Sequence, residues 1–366
     1  GLGEGLPAAP AARVDALSLL QLALLGLRRY DEAEAAFARL GTLPSAQPVA
    51  AACMVVRHTA LLCDRGRGSQ ALTLALEAAR ALGIDVPADD AWPAAVAETD
   101  AWLPQFLEGC APDFFETLPR CDDARVVAAT FVLHGMPLIL YTGRAEPRAW
   151  ATTQAVRLAT RHGAVPRLAP LLVDVAPLLI VRARRPQLAQ RLVDAALAMA
   201  AGGSTPLRAR VHLRAATLAG PWLWPTPRIL EQFEQAFTLA EQAGDAQMTS
   251  QAVLAPLGGQ LDVARHLGAM DAPLARARGH LQRTGLPLLA TYADLIDDVR
   301  SCLAGQMPLQ GMLDRHGLGR PARPGDHLER AAGLLAAARL ALLFRRPEAL
   351  TLVQASRTPA RFGLYG

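Results

Sequence analysis

The 366-residue chain carries 37 basic side chains, all of them arginine, against 33 acidic ones. A net charge of +4 spread along the whole length is weak support for nucleic-acid binding, and 52% hydrophobic residues exclude a largely disordered chain. With aromatics at only 5%, alanine and leucine must fill the core, which suits helices packed at close range.

The first predicted element is a helix hairpin from Leu17 to Gly41, LSLLQLALLGLRRYDEAEAAFARLG, with a basic turn between its two apolar stretches. A second follows from Val49 to Gly83 and turns at DRGRGS, Asp64 to Ser69. The stretch from Asp85 to Pro119 breaks the rhythm with Pro87, Pro93, Pro104, Pro112 and Pro119, and reads as one irregular helix with a crossing loop. Arg125 to Leu133, RVVAATFVL, is rich in β-branched residues but has no partner strand, so it reads as a buried helix. Beyond it, second helices are expected to open near residues 147, 186, 227, 271 and 347, as the first two do near 31 and 69. Helix stops are expected at Gly41, Gly83, Gly143, Gly163, Gly202-Gly203, Gly244, Gly268, Gly285 and Gly305, where a left-handed cap suits glycine. Gly305 to Pro324 is Gly/Pro-rich and reads as an exposed loop or short helix.

These openings recur about every 40 residues, or at about twice that spacing. A hairpin cannot bury its own apolar face and must stack on its neighbours, so the pattern predicts an all-α fold, a right-handed α-solenoid of degenerate tetratricopeptide-like hairpins. The expected parts are residues 1–83 as N-terminal hairpins, 84–124 as the Pro-rich crossing segment and 125–304 as a central array. Residues 305–324 form the Gly/Pro-rich loop and 325–366 a last, truncated hairpin.

The longest apolar runs are broken by His134, Asp174 and Arg339, which argues against a membrane span, and nothing at the start resembles a secretion signal. Five cysteines, Cys53, Cys63, Cys110, Cys121 and Cys302, show no CxxC spacing and read as buried thiols of a reducing compartment. The expected location is cytoplasmic. The start at Gly1 and the stop within a helix pair suggest an excised fragment. The lack of lysine reads as codon bias of a GC-rich genome.

Chemistry-bearing patterns are few. The pairs Asp89-Asp90, Asp122-Asp123 and Asp297-Asp298 lack the third aspartate of a DDxxD magnesium motif, and Asp122-Asp123 stands where an N-cap is needed. Eight histidines fall singly with no HExxH. His134 and His212 lie on apolar faces as core residues, and His162 and His266 lie near helix C-termini. DRGRGS and GLGRPARPG (Gly317 to Gly325) have no preceding strand to make a phosphate cradle, and no Walker lysine exists. No catalytic, cofactor-binding or metal-ligating residue is therefore assigned. The most distinctive segment is GPWLWPTPRILEQFEQAF, Gly220 to Phe237, where Trp222 and Trp224 either wedge a turn or meet a partner peptide.

Three runs carry a family likeness: ALTLALEAARALGIDVP (Ala71 to Pro87), ILEQFEQAFTLAEQAGD (Ile229 to Asp245) and LGAMDAPLARARGHLQRTG (Leu267 to Gly285). Over residues 45 to 366 the chain resembles the central helical region of large bacterial multidomain sensor proteins. In these a serine/threonine-kinase-like domain and an AAA-type ATPase precede the helices, and GAF and histidine-kinase modules follow. The resemblance implies a non-catalytic scaffold or signal-relay segment of such an ATPase or sensor kinase, whose partners are adjacent domains of its parent chain or another protein. The parent's kinase glycine loop, Walker lysine and phosphoacceptor box have no counterpart here, so no catalytic residue is carried over. Two rivals remain: the sensor array of a helical-repeat transcription regulator that binds a small inducer, and an arginine-lined nucleic-acid array.

Overall fold

The computed structural model describes residues 10–40, 47–65, 67–136, 146–284, 287–319 and 327–360. Among these the protein is all-α: 78% of the described residues are helical, and the one extended contact is an isolated bridge between Arg120 and Ala164. Arg125 to Leu133 is helical, as its pattern predicts. Contacts divide the chain into a unit ending at Leu171 and a unit beginning at Leu172.

The first unit opens with α1 (Pro10–Gly26), α2 (Tyr30–Ala38), α3 (Pro48–Asp64) and α4 (Gly68–Ala81). The long α5 (Trp92–Gly109) follows, then α6 (Ala124–Gly135) and α7 (Glu146–His162). Proline at the start of α3 costs nothing, because a first-turn N–H has no helical acceptor. Asp123 caps α6, its carboxylate accepting from Arg125 N at 2.8 Å and Val126 N at 3.3 Å. The residues between Asp85 and Pro119 thus hold one helix, α5, with Pro104 inside it. Gly163 has φ +104°, and a Cβ there would stand 2.3 Å from the Pro119 carbonyl oxygen, so only glycine admits the bridge beside it. Leu24, Ala33, Ala36 and Leu61 form a small core joining α1, α2 and α3.

Helix α8 (Leu168–Pro177) spans the division. The second unit continues with α9 (Pro186–Ala201), α10 (Thr205–Arg214), the single turn α11 (Gly220–Leu223), α12 (Thr226–Gln242), α13 (Ala246–Leu254) and α14 (Leu257–Val263). It then runs through α15 (Asp271–Thr284), α16 (Pro287–Leu303), α17 (Leu309–Arg315), α18 (His327–Leu343) and α19 (Ala349–Ala360). Among the described residues three cores follow one another along it. Ala209, Phe233, Leu239 and Met248 belong to the first; Leu257, Leu274 and Ile296 to the second; Met312, Leu340 and Ala341 to the third. Phe237 packs against both the first and the second, and Leu261 and Tyr292 against both the second and the third. Apolar burial is handed from one set of helices to the next.

The predicted openings at 31, 69, 147, 186, 227 and 271 fall within a residue of helix starts, and 347 falls two before α19. Of the predicted glycine stops, Gly83, Gly163, Gly244 and Gly305 adopt positive φ. Gly268 instead lies inside a 3₁₀ turn (Leu267–Met270), and Gly41, Gly143 and Gly285 lie outside the described residues. The arginine pairs explain other stops. Arg28, Arg184 and Arg345 are the non-glycine residues at positive φ among those described, with φ of 58°, 54° and 52°. At Arg28 the turn closes through Arg28 N to Leu25 O at 3.1 Å and Arg29 N to Leu24 O at 2.9 Å. At Arg345 the same two bonds run to Leu342 O at 3.1 Å and, from Arg346 N, to Ala341 O at 2.8 Å. The glycine turn at Gly83 closes with the identical pair, to Arg80 O and Ala79 O. These arginine dyads therefore mark helix ends, with the first arginine paying the left-handed penalty that glycine escapes.

Candidate functional site

The most unusual local chemistry lies in the second unit. Helix α8 passes into a π-helical turn, Leu178–Arg182, and α10 into another, Ala215–Ala219. Such widened turns are rare and favour functional positions. Asp174 stands one turn before the first and Arg214 directly before the second. Asp174 is 3% exposed, and the Arg214 guanidinium donates to its Oδ1, so a buried carboxylate is neutralised across two helices. The sequence showed Asp174 only as a break in an apolar run; its partner, 40 residues later, lay beyond any local pattern.

The Trp-Pro segment divides in two. Trp224 is buried, its indole N–H donates to Gln190 Oε1 at 3.0 Å, and Arg228 lies over the ring at 4.4 Å, so this tryptophan wedges α11 against α9. Trp222 is 49% exposed. His212 hydrogen-bonds through Nδ1 to Gln232 Oε1 at 2.7 Å between α10 and α12. His134 is buried within α6. His162 lies in the last turn of α7, whereas His266 precedes the 3₁₀ turn at Leu267, two residues past the C-cap of α14.

Of the aspartate pairs, Asp297-Asp298 is taken up by protein groups. Asp123 is a cap, and Asp122 and Asp89-Asp90 are exposed. Asp297 accepts from Arg278 at 2.7 Å and from Arg300 Nε at 2.9 Å, while Arg300 also pairs with Asp271. Burial works against its ionisation, but the two guanidinium groups outweigh it and hold Asp297 below the usual carboxylate range. Asp298, buried, accepts from Arg315 at 2.6 Å and faces His316 Nε2 at 3.0 Å. No cluster of three or more metal-ligating side chains occurs among the described residues. None of the five cysteines is in a disulfide, and burial, then Asp298, pushes the Cys302 thiol up, away from a nucleophilic thiolate. The DRGRGS turn is likewise committed: Arg65 pairs with Asp31 at 2.7 Å and Arg67 with Glu34 at 3.3 Å, so its guanidinium groups meet carboxylates of α2. GLGRPARPG lies largely outside the described residues.

A regularity joins many of these bonds. Arg65 to Asp31, Arg67 to Glu34, Gln21 to Met54 O and Trp224 to Gln190 span 33 or 34 residues. Arg57 to Ser18 O, Arg214 to Asp174 and Arg276 to Glu234 span 39, 40 and 42. The last is a two-pronged fork, both N–O distances being 3.0 Å, with the same guanidinium 4.0 Å from the Phe237 ring centroid. Planar forks and ring stacking are arginine's capacities and not lysine's. The all-arginine composition, whatever its genomic origin, is thus used structurally.

No described helix is long and apolar enough to cross a membrane. What these observations define is a class, an all-helical protein whose polar groups tie helices together. Neither the protein-family models nor the curated proteins compared with this sequence give a match.

Proposed function

We propose that this chain is a non-catalytic helical-repeat scaffold, a signal-relay segment of a cytoplasmic multidomain bacterial ATPase or sensor kinase that works through protein contacts. The observation that carries the reading is the set of polar ties at separations of 33 to 42 residues, because a bond between equivalent helices of adjacent hairpins must span one repeat. Three features support it: the second unit's cores share residues in series, arginine and carboxylate side chains are spent on one another, and the resemblance to sensor-protein helical regions points to a relay. In such an array, small rotations between neighbouring hairpins add along the chain, so a contact on one repeat is felt at a distant one.

Small-angle scattering tests the architecture. A compact globule of this length has a radius of gyration of roughly 21 Å. A stacked array is expected to exceed that clearly and to give an elongated distance distribution, and a value near 21 Å overturns the solenoid.

A further inference from the structure

Helix α5 and the turn after it carry a ladder of half-buried aromatic rings. Trp102 and Phe106 stack at 4.9 Å with 15° between planes, Phe106 meets Phe114 edge-on at 5.6 Å, and Phe114 meets Phe115 at 5.2 Å. Phe115 is buried and anchors the row, while the other three are left partly open. An aromatic row needs a reason to stay at the surface, since these are the residues that contribute most when buried.

Charge supplies one. Residues 84–124 contain ten acidic side chains and a single arginine, leaving 36 arginines against 23 acidic residues elsewhere, so this is a strongly negative segment in a positive protein. Asp113 and Glu116 flank Phe114 and are exposed. The molecule also shows how the surface receives a cation. Arg157, from α7, lies 4.4 Å from the centroid of Trp102, at the near end of the ladder, and forks onto Glu98 one turn before it on α5. A ring face with a carboxylate beside it holds a guanidinium by two attractions at once. Asp113 directly precedes Phe114 and Glu116 follows it by two residues; both are exposed and enter no ion pair among the described residues.

We propose that the Phe106–Phe114 face, continuing the row from the Arg157-covered Trp102, is with Asp113 and Glu116 a docking surface for an arginine-rich peptide segment of a partner protein. The inference deepens the scaffold reading by naming the partner's chemistry and rests on it. Arginine is specified over lysine because its planar cation stacks on rings and forks onto carboxylates together. A nucleic acid is disfavoured by the sign of the charge.

The test measures binding of a labelled nona-arginine peptide to the full chain by fluorescence anisotropy, with nona-lysine and single-stranded DNA in parallel. Arginine is expected to bind more tightly than lysine. The double variant Asp113→Asn, Glu116→Gln should weaken it about tenfold, as should Phe114→Ala, with unchanged circular dichroism. If Phe114→Ala does not fold, the double variant, confined to exposed side chains, carries the test. Failure of the arginine peptide to bind, equal affinity in the double variant, or tighter binding of DNA overturns the proposal. An elongated scattering profile without peptide binding removes this inference alone, and a compact profile removes the scaffold reading independently.

Discussion

In the first unit the ion pair between Arg65 and Asp31 sits at the surface. The Asp31 side chain is 92% exposed, and a buried polar tie nearby, Gln21 to the Met54 carbonyl at 3.2 Å, is neutral. In the second unit a charged tie has moved inside, where the Asp174 side chain is 2% exposed and Arg214 25%. Both kinds connect residues about 33 to 40 positions apart. Solvent, not geometry, separates them: water screens the first pair and leaves it worth little, whereas a carboxylate taken out of water depends on its guanidinium. The same device can therefore decorate one unit and hold the other together.

The largest expected effect comes from breaking the inner pair. Arg214→Met removes a guanidinium that neutralises the buried Asp174 carboxylate and should cost roughly 3–5 kcal/mol in urea unfolding, with α8 and α10 amides losing most protection from hydrogen exchange. Adding Asp174→Leu should restore most of the loss. In the first unit Glu34→Gln should cost less than about 1 kcal/mol. Comparable losses in the two units would dissolve the contrast.

A smaller effect tests what the units share. Arg28→Gly and Arg184→Gly relieve left-handed strain that costs an L-residue about 1–2 kcal/mol, set against glycine's extra freedom when unfolded. Each should raise stability by about 0.5–1 kcal/mol on thermal unfolding. A loss at either position would mean that the side chain matters more than the turn.

The smallest effect belongs to the first unit alone. The His58 ring stacks on Phe37 at 4.0 Å, and burial pushes its pKa below 6.5, with Glu34 opposing and Arg67 assisting. A histidine held neutral in the fold binds its proton more readily when unfolded. Its contribution is then full above pH 6.5 and declines as pH falls toward the lower folded value. Thermal unfolding between pH 7 and pH 5 should show a shallower acid loss in His58→Gln than in the parent, and identical slopes would refute the assignment.

Helix starts were readable because their causes are local. Asp123 caps within three residues, Pro186 opens α9, and Gly83, Gly244 and Gly305 close helices through backbone conformation alone. The arginine dyads were visible in sequence as clusters of charge, but nothing in a charge pattern says that Arg28, Arg184 and Arg345 take a left-handed backbone. The Trp-Pro segment was visible as well, though not the separate fates of its two rings. Trp224 is buried because Gln190, 34 residues earlier, comes within reach of its N–H.

Sequence by itself determined that this protein is helical and where several of its helices begin or end, since capping and turn chemistry act over a few bonds of chain. Only the tertiary structure decided which charges are spent on each other, that two helices widen into π-turns beside Asp174 and Arg214, and that an aromatic row stays half open on α5. Those outcomes depend on which side chains packing brings together and on how much water it removes, and neither quantity is written in local order along the chain.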